Sequence, residues 1–224
     1  MQQMILRFLT PFFCLTLASI FGFMHGKVDV GPAIIDVDVL ESGKTIETLH
    51  MKGVKGDASL LVYEGYCIKP GFLWGKKGHS ELTTGTIAAG YYLPFRNFRF
   101  LPHVGITWSY LQTRVDIEQL MLHNLKERFR SSSPFIGMEI CYLLSDKWTI
   151  TALYQYAWSR TDTKIGSIVS DKSHSCGPNY GLGVEYSLNK NWSIVFGVGY
   201  NITLSKEKHG LRGKGAKLSV AYYF

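Results

Sequence analysis

Beyond its first two dozen residues, the sequence has no uninterrupted apolar stretch approaching the roughly 20 residues that a membrane-spanning helix needs. It is also poor in cysteine, with 4 in 224 residues and no CxxC spacing, which argues against a disulfide framework and against a zinc site. Charged residues make up 18% and aromatic residues 14%, a composition that excludes an intrinsically disordered chain. The chain therefore folds, and if it crosses a membrane it does so without a helix.

The N terminus is apolar, with Arg7 ahead of the run FLTPFFCLTLASIFGF and small residues behind it. This pattern predicts a secretory signal peptide over residues 1–22, cleaved between 18 and 26; a single N-terminal anchor helix is the alternative. Cleavage would remove Cys14 and leave Cys67, Cys141 and Cys176, an odd number that cannot form a closed disulfide framework. We expect Cys67 and Cys141 to face inward on distant strands, and Cys176 to lie near the outer rim, where it could form an intermolecular bond.

Most of the remaining chain alternates with period two, the pattern of β-strands. In WSIVFGVGYNITL, from Trp192 to Leu204, one face is apolar and the other is small or polar, with glycine, serine, threonine and asparagine beside one valine. The segment WTITALYQYAWS, from Trp148 to Ser159, alternates in the same way. A soluble sandwich would carry long charged residues on its polar face, whereas aromatic girdles outside and small residues inside are typical of a transmembrane β-barrel.

Four strand-turn-strand units recur around Tyr63, Tyr92, Tyr142 and Tyr186, with turn residues that suit tight hairpins. They supply eight strands, and VDVGPAIIDVDVL near the N terminus and GAKLSVAYYF at the C terminus supply two more. The sequence therefore predicts an all-β, antiparallel, up-and-down transmembrane barrel of about ten strands over residues 27–224. Eight strands are the alternative, because the first strand has the least regular pattern.

The apolar C-terminal strand closes such a barrel, since every backbone group in lipid must be paired. The signal, the alternation and this last strand resemble the outer-membrane β-barrels of Gram-negative bacteria, and the small opacity-like or OmpX-like surface barrels most of all in plan. In that family a terminal aromatic residue preceded by alternating apolar residues is read by the barrel-assembly machinery. The corresponding residues here are Leu218, Val220, Tyr222 and Phe224. The resemblance implies a location in the bacterial outer membrane.

A barrel of this size has a lumen that side chains can fill. Ten residues of mixed charge are predicted to line it as a stabilising ionic network: Asp36, Asp38, Lys55, Asp57, Lys69, Arg99, His103, Glu139, Glu185 and Lys217. Asp36 and Asp38 face inward only if a bulge near Ile35 shifts the register. His79 and His174 each neighbour a serine, but adjacent strand residues point to opposite faces, so we predict no enzyme. No cofactor is predicted.

The predicted outer loops are Glu41–His50, Gly75–Leu82, Arg114–Ser132, Arg160–Cys176 and Ser205–Lys214. They carry most of the formal net charge of +7, and a basic patch is predicted at Lys206, Lys208, Arg212 and Lys214. In the third loop, apolar residues at helical spacing predict a short amphipathic helix within 116–130. Its expected role is a lid over the barrel mouth; insertion into the outer leaflet and recognition of a partner are alternatives.

These features predict an integral outer-membrane barrel that serves as a surface-exposed structural or adhesin-type protein. A narrow channel or transporter for small solutes is the alternative. The expected partners are outer-membrane lipid, lipopolysaccharide, whose phosphates suit Lys and Arg, and the barrel-assembly machinery. A host-surface ligand such as a sulfated or sialylated glycan is the further candidate, and nucleic acid is not expected.

Overall fold

The computed structural model describes residues 25–117, 122–165 and 169–224, and within them every regular element is a β-strand. The strands are β1 His25–Glu41, β2 Lys44–Tyr63, β3 Tyr66–Lys77, β4 Ser80–Tyr91, β5 Leu93–Phe95, β6 Phe98–Ile117, β7 Leu122–Leu143, β8 Trp148–Ile165, β9 Val169–Ser187, β10 Trp192–Leu204 and β11 Gly210–Tyr223. No helix in the described residues is long and apolar enough to cross a membrane. The predicted signal peptide, residues 1–22, lies outside the described residues, and of its predicted cleavage range, 18–26, only His25 and Gly26 are described.

Ten strands form the wall, because β5 is a continuation of β4. Gly90 of β4 pairs with His103, and Leu93 of β5 pairs with Phe100 in the same register of β6. Between these pairs stands Pro102, which has no N–H to give to the ladder and so interrupts it. The prediction of ten strands rather than eight is confirmed.

The barrel closes by antiparallel pairing of the first strand with the last. β1 pairs with β11 from Lys27 opposite Tyr223 to Leu40 opposite Gly210. Beyond that ladder, Gly26 and Phe224 exchange backbone hydrogen bonds of 3.0 and 3.1 Å. The last strand therefore closes the barrel, as predicted, and the sheet formed by the described strands has no open edge.

Alternate residues of each strand face opposite sides of this wall. On β11, Leu218 and Val220 are about half exposed, whereas Ser219 and Ala221 are buried at 2% and 0%. Large exposed apolar side chains cover the outward face of the other strands in the same way, with Trp148 and Trp192 at one end and Trp74, Trp108 and Trp158 toward the other. Ten residues separate Trp148 from Trp158, about 33 Å along a strand and about 25 Å across a bilayer at the usual tilt.

The apolar side chains just described form a belt around the outside of the barrel. Beyond this belt, toward the outer end of the strands, the outward face changes abruptly from apolar to ionisable side chains. The first ionisable outward residues are Asp36 on β1, Lys52 on β2, Lys76 on β3, Glu81 on β4, Arg130 on β7, Arg160 on β8, His174 on β9 and Lys214 on β11. These residues mark the outer boundary of the membrane. We call the parts of the strands beyond it the outer extension.

The predicted outer loops are largely strand. β1 and β2 continue to a two-residue turn at Ser42 and Gly43, both with positive φ, and β3 and β4 continue to a turn at Gly78 and His79. The strands continue to pair beyond the membrane, because their backbone groups still hydrogen-bond to each other there. Inward apolar residues such as Leu49 and Leu111 are also still buried.

The predicted helix within 116–130 is wrong for the residues that the structure describes. β6 runs to Ile117 and β7 starts at Leu122, with Val115 paired to Leu125 and Glu127 paired to Thr113. Pairing along two long strands satisfies more backbone groups than an isolated helix of four turns, which is marginal in water. The helical spacing of apolar residues therefore does not decide the local structure.

We predict that deletion of Phe224 will sharply lower the amount of barrel in the outer membrane of cells. Refolding into detergent should suffer mildly, since the loss of one buried phenylalanine costs no more than about 3 kcal/mol. Surface labelling of cells and urea unfolding of refolded protein measure the two effects, with Phe224→Tyr as the control that keeps a terminal aromatic residue. Equal losses in both assays would show that Phe224 acts through packing alone.

Candidate functional site

Charged side chains fill the periplasmic half of the lumen. Lys217 of β11 donates hydrogen bonds to Asp29 of β1 at 2.5 Å and to Asp57 of β2 at 2.7 Å. Ser219 donates a further bond to Asp29 at 2.9 Å, and Lys55 lies 3.4 Å from Asp57. These charges are therefore paired within the lumen.

Two ion pairs cross the lumen between strands that are not neighbours. Lys69 of β3 bonds Glu139 of β7, and Lys27 of β1 bonds Glu185 of β9 at 2.5 Å. The Tyr223 hydroxyl also donates to Glu185. We call these residues the ionic layer: Lys27, Asp29, Asp57, Lys69, Glu139, Glu185, Lys217 and Tyr223. The layer obstructs the lumen because its bonds run from wall to wall.

His103 lies beside this layer and is buried. Its Nδ1 lies 2.9 Å from the Leu101 carbonyl, and its Nε2 lies 3.0 Å from the amide nitrogen of Gln155. Gln155 in turn accepts a bond of 2.6 Å from Asn179. Both ring nitrogens are engaged, an arrangement typical of a structural histidine.

A second, apolar layer fills the lumen toward the outer end. Its buried residues come from three strands: Ala33, Ile35 and Val37 of β1, Leu49 and Met51 of β2, and Leu111 of β6. Leu73, Leu82, Phe129 and Leu211 pack against them from four further strands. This layer is not predicted from the sequence, because several of its residues fall within the predicted loops; the alternation of apolar residues along β1 and β2 was the available signal.

Eight of the ten residues predicted to line the lumen face inward, with Arg99 exposed at the periplasmic mouth. Asp36 and Asp38 do not. The pairing of β1 with β11 runs unbroken from Ala33 to Leu40, and the register shift against β2 lies between Val39 and Leu40. Without a bulge near Ile35, both carboxylates share the outward face of Ile34, which is 61% exposed. Lys27 and Asp29 also line the lumen but are not among the predicted residues, although Asp29 alternates with outward-facing Val28 and Val30.

Asp38 lies on the outward face of the outer extension and holds part of the predicted basic patch. Its carboxylate accepts bonds of 2.7 Å from Arg212 and Thr48, and Lys214 lies 3.7 Å away. The Thr48 bond and the Arg212 guanidinium lower the pKa of Asp38. Lys206 and Lys208 remain exposed in the turn between β10 and β11. In the structure, Arg212 of the predicted patch is therefore paired with a carboxylate, whereas Lys206, Lys208 and Lys214 are exposed.

The inner rim of the outer extension is acidic. Glu47 of β2 and Glu127 of β7 both face the lumen side. Burial, and then the Glu47 carboxylate, raise the pKa of Glu127. An anionic ligand is therefore favoured at the turns and on the outward face rather than at the mouth of the lumen.

Cys67 is buried, Cys141 is half-buried and Cys176 is exposed, and all three are free thiols. Cys176 faces outward below His174 and accepts a bond of 3.2 Å from the Tyr156 hydroxyl. An intermolecular bond at Cys176 stays a prediction. His79 stands in an exposed turn, and His174 is exposed on the outward face while Ser175 beside it faces the other side.

Comparisons with known proteins agree with this architecture. A family model described as an outer membrane protein beta-barrel domain matches residues 75–224. No curated protein matches the sequence. The solved structure of the outer membrane protease OmpT from Escherichia coli has a TM-score of 0.54 at 12% identity, covering 90% of this chain and 96% of that one. Ail, the attachment invasion locus protein of Yersinia pestis, has a TM-score of 0.44 at 13% identity, covering 89% and 98%.

We predict that Lys69→Ala will destabilise the barrel by about 3–5 kcal/mol, because it leaves the Glu139 carboxylate buried without its partner. Adding Glu139→Gln should recover part of that loss, since the unpaired charge is then removed. Urea unfolding of refolded protein measures both, with Lys190→Ala in an exposed periplasmic turn as the control. An effect of Lys69→Ala no larger than that of the control would contradict a structural ionic layer.

Proposed function

The chain belongs to the family of outer membrane proteins with a β-barrel domain, and we propose that it serves at the bacterial surface as a closed, non-enzymatic, adhesin-type barrel. Its outer extension would bind an anionic ligand such as a sulfated glycan. One observation carries this proposal: the lumen is filled at two levels, whereas the strands continue well beyond the membrane. The parts that reach the medium are therefore the turns and the outward faces of the outer extension.

The closed lumen supports binding rather than transport. A solute would have to pass the apolar layer around Met51, which is 1% exposed, and then the ionic layer around Lys69 and Glu139. Barrels of about eight strands are just wide enough to be filled by side chains, and open aqueous channels come with about sixteen. Two successive layers of opposite chemistry disfavour both polar and apolar solutes.

Exposed lysines at the outer tip support an anionic ligand. Gly43 donates a backbone bond of 2.9 Å to Lys208, which brings the β1–β2 turn against the β10–β11 turn. Lys44, Lys206 and Lys208 are exposed there. We call these three residues the tip lysines. The positive charge outweighs Glu41 and Glu207 by one unit, and ammonium groups are good partners for sulfate and phosphate oxygens.

The likeness to a protease concerns the fold, because one barrel architecture hosts many unrelated activities. Function must come from the site, and the feature that the tip lysines offer a ligand is positive charge. The non-enzymatic proposal rests on that surface and on the filled lumen.

The narrow channel remains the second candidate because of one feature of the lumen. Gly181 and Gly183 of β9 and Gly197 and Gly199 of β10 face inward. A Cβ added to Gly199 would meet, within 4 Å among the described residues, the Tyr180 carbonyl at 3.7 Å. This side of the lumen is therefore less tightly filled than the side formed by β1 and β2.

Recordings of refolded protein in planar bilayers test the closed lumen, and we expect no discrete conductance steps. A variant that thins both layers, with Met51→Gly, Lys69→Ala and Glu139→Ala, is the positive control and should conduct once its folding is shown by heat-modifiable gel mobility. Steps in the unmodified protein that change with Lys69→Ala would favour the channel.

Binding to immobilised heparin, a sulfated polysaccharide, tests the tip lysines. An exposed ion pair is worth up to about 1 kcal/mol, so exchange of all three tip lysines for Gln should weaken binding by about five- to thirtyfold. The matched control exchanges Arg96, Lys147 and Lys190 for Gln, because these exposed cations lie in periplasmic turns. Equal weakening in both variants would rule out a specific site at the tip.

A further inference from the structure

The outward face of the outer extension carries a dense group of cations on three adjacent strands. The cations are Arg128 and Arg130 of β7, Arg160 and Lys164 of β8, and Lys172 of β9; the His174 side chain of β9 lies among them, and all six residues are exposed. We call this surface the basic wall. The residues between them along each strand face inward. The alternation of side chains along a strand therefore places these charged residues together on the outward face.

Strand register brings these cations close together. Arg130, Asp162 and Lys172 are direct neighbours across β7, β8 and β9, and Arg160 and His174 form the next row toward the membrane. Adjacent strands lie about 4.8 Å apart, and alternate residues of a strand lie about 6.8 Å apart. The Cα atoms of Arg130, Arg160 and Lys172 therefore lie within about 10 Å of one another. A single phosphorylated group is within reach of all three side chains.

Among the side chains that the structure describes, the positive charge of the basic wall exceeds the nearby negative charge. Asp162 is the one outward carboxylate on this surface among the described side chains. Its Oδ1 is buried and has no hydrogen-bond partner among the described residues. On the opposite side of the barrel, by contrast, Asp38 binds Arg212 directly at 2.7 Å. Like charges on neighbouring strands repel each other, so the basic wall is suited to an external anion.

The position of the basic wall indicates which anion reaches it. Trp158, 51% exposed, is the next outward residue below Arg160, and Ile136 and Leu182, 54% and 61% exposed, lie further down the lipid-facing surface of the neighbouring strands. A ligand on the basic wall therefore sits at the level of the lipid headgroups, with apolar wall beneath for acyl chains. The Arg130 guanidinium lies 5.8 Å from the centre of the Tyr110 ring, a cation–π contact that orients it at this level.

We propose that the basic wall binds the phosphorylated sugar headgroup of an outer-leaflet glycolipid. Arg130, Arg160 and Lys172 hold phosphate oxygens by charge-assisted hydrogen bonds. On binding, the Asp162 carboxylate rotates so that one of its oxygens faces outward and accepts a bond from a sugar hydroxyl. This site is separate from the tip lysines and goes beyond the proposed function, since the glycolipid belongs to the membrane that holds the barrel.

The test uses the refolded full chain in detergent, titrated with bis-phosphorylated lipid A and followed by native mass spectrometry. The joint exchange of Arg130, Arg160 and Lys172 for Gln should weaken binding at least about tenfold, because three charge-assisted contacts are lost. The matched control exchanges Lys52, Lys76 and Lys214 for Gln, three outward cations at the same boundary on other strands, and should bind as the unmodified chain does. Heat-modifiable gel mobility verifies that each variant is folded.

Two further arms separate lipid from soluble ligands and test the carboxylate. Dephosphorylated lipid A should bind at least about tenfold more weakly than the bis-phosphorylated form, and free glucosamine phosphate should not compete at equal concentration. Asp162→Asn should weaken binding less than the triple exchange. Equal losses of binding in the triple exchange and in its matched control would overturn the glycolipid site, as would full competition by glucosamine phosphate. Tighter binding by Asp162→Asn would overturn the contact with the sugar hydroxyl.

Discussion

The pairing of every backbone N–H and C=O group within the membrane is the constraint on which the rest of this structure depends. A lone strand cannot meet it, and an open sheet leaves two unpaired edges, so the wall must close on itself. Closure fixes which side of each strand meets lipid, because side chains alternate about the plane of the ladder. Every later property, from the apolar belt to the filled lumen, follows from that division into an outward and an inward face.

The same division separates three kinds of chemistry in a small protein. Charges that face inward are paired across the lumen, as Lys27 is with Glu185. Apolar residues that face inward beyond the membrane, such as Met51 and Leu111, form a core of the kind found in soluble proteins. Most of the cations that face outward beyond the membrane remain exposed, as Arg160 does, although Arg212 is paired with Asp38. The position of a charge relative to the wall and the boundary thus decides whether it stabilises the barrel or is available to a ligand.

Much of this could be predicted from the sequence, and the failures have physical causes. The regular alternation after Trp148 and after Trp192 identified strands, faces and closure because it leaves a single register that puts apolar residues in lipid. The prediction for Asp36 was wrong because a carboxylate beyond the membrane can also face outward into water. A polar residue on a strand is therefore not necessarily a residue that lines the lumen. The spacing of Ile117 and Phe129 suggested a helix because a local pattern carries no information about a partner strand. The basic wall was hidden for the same reason, since its cations come from three segments that only register brings together.

The closure of β1 on β11 also governs how the protein must fold. Ser219 donates its hydrogen bond to Asp29 across 190 positions of the sequence. Contacts between residues so far apart in the sequence form slowly, because the chain loses the conformational entropy of closing the loop before it gains the energy of the contact. Until the last strand has been made, both β1 and the growing end of the sheet expose unpaired edges, which are templates for aggregation. The native state is thus one that the chain can reach only after its synthesis is complete, and the interval before closure is the period in which it needs protection.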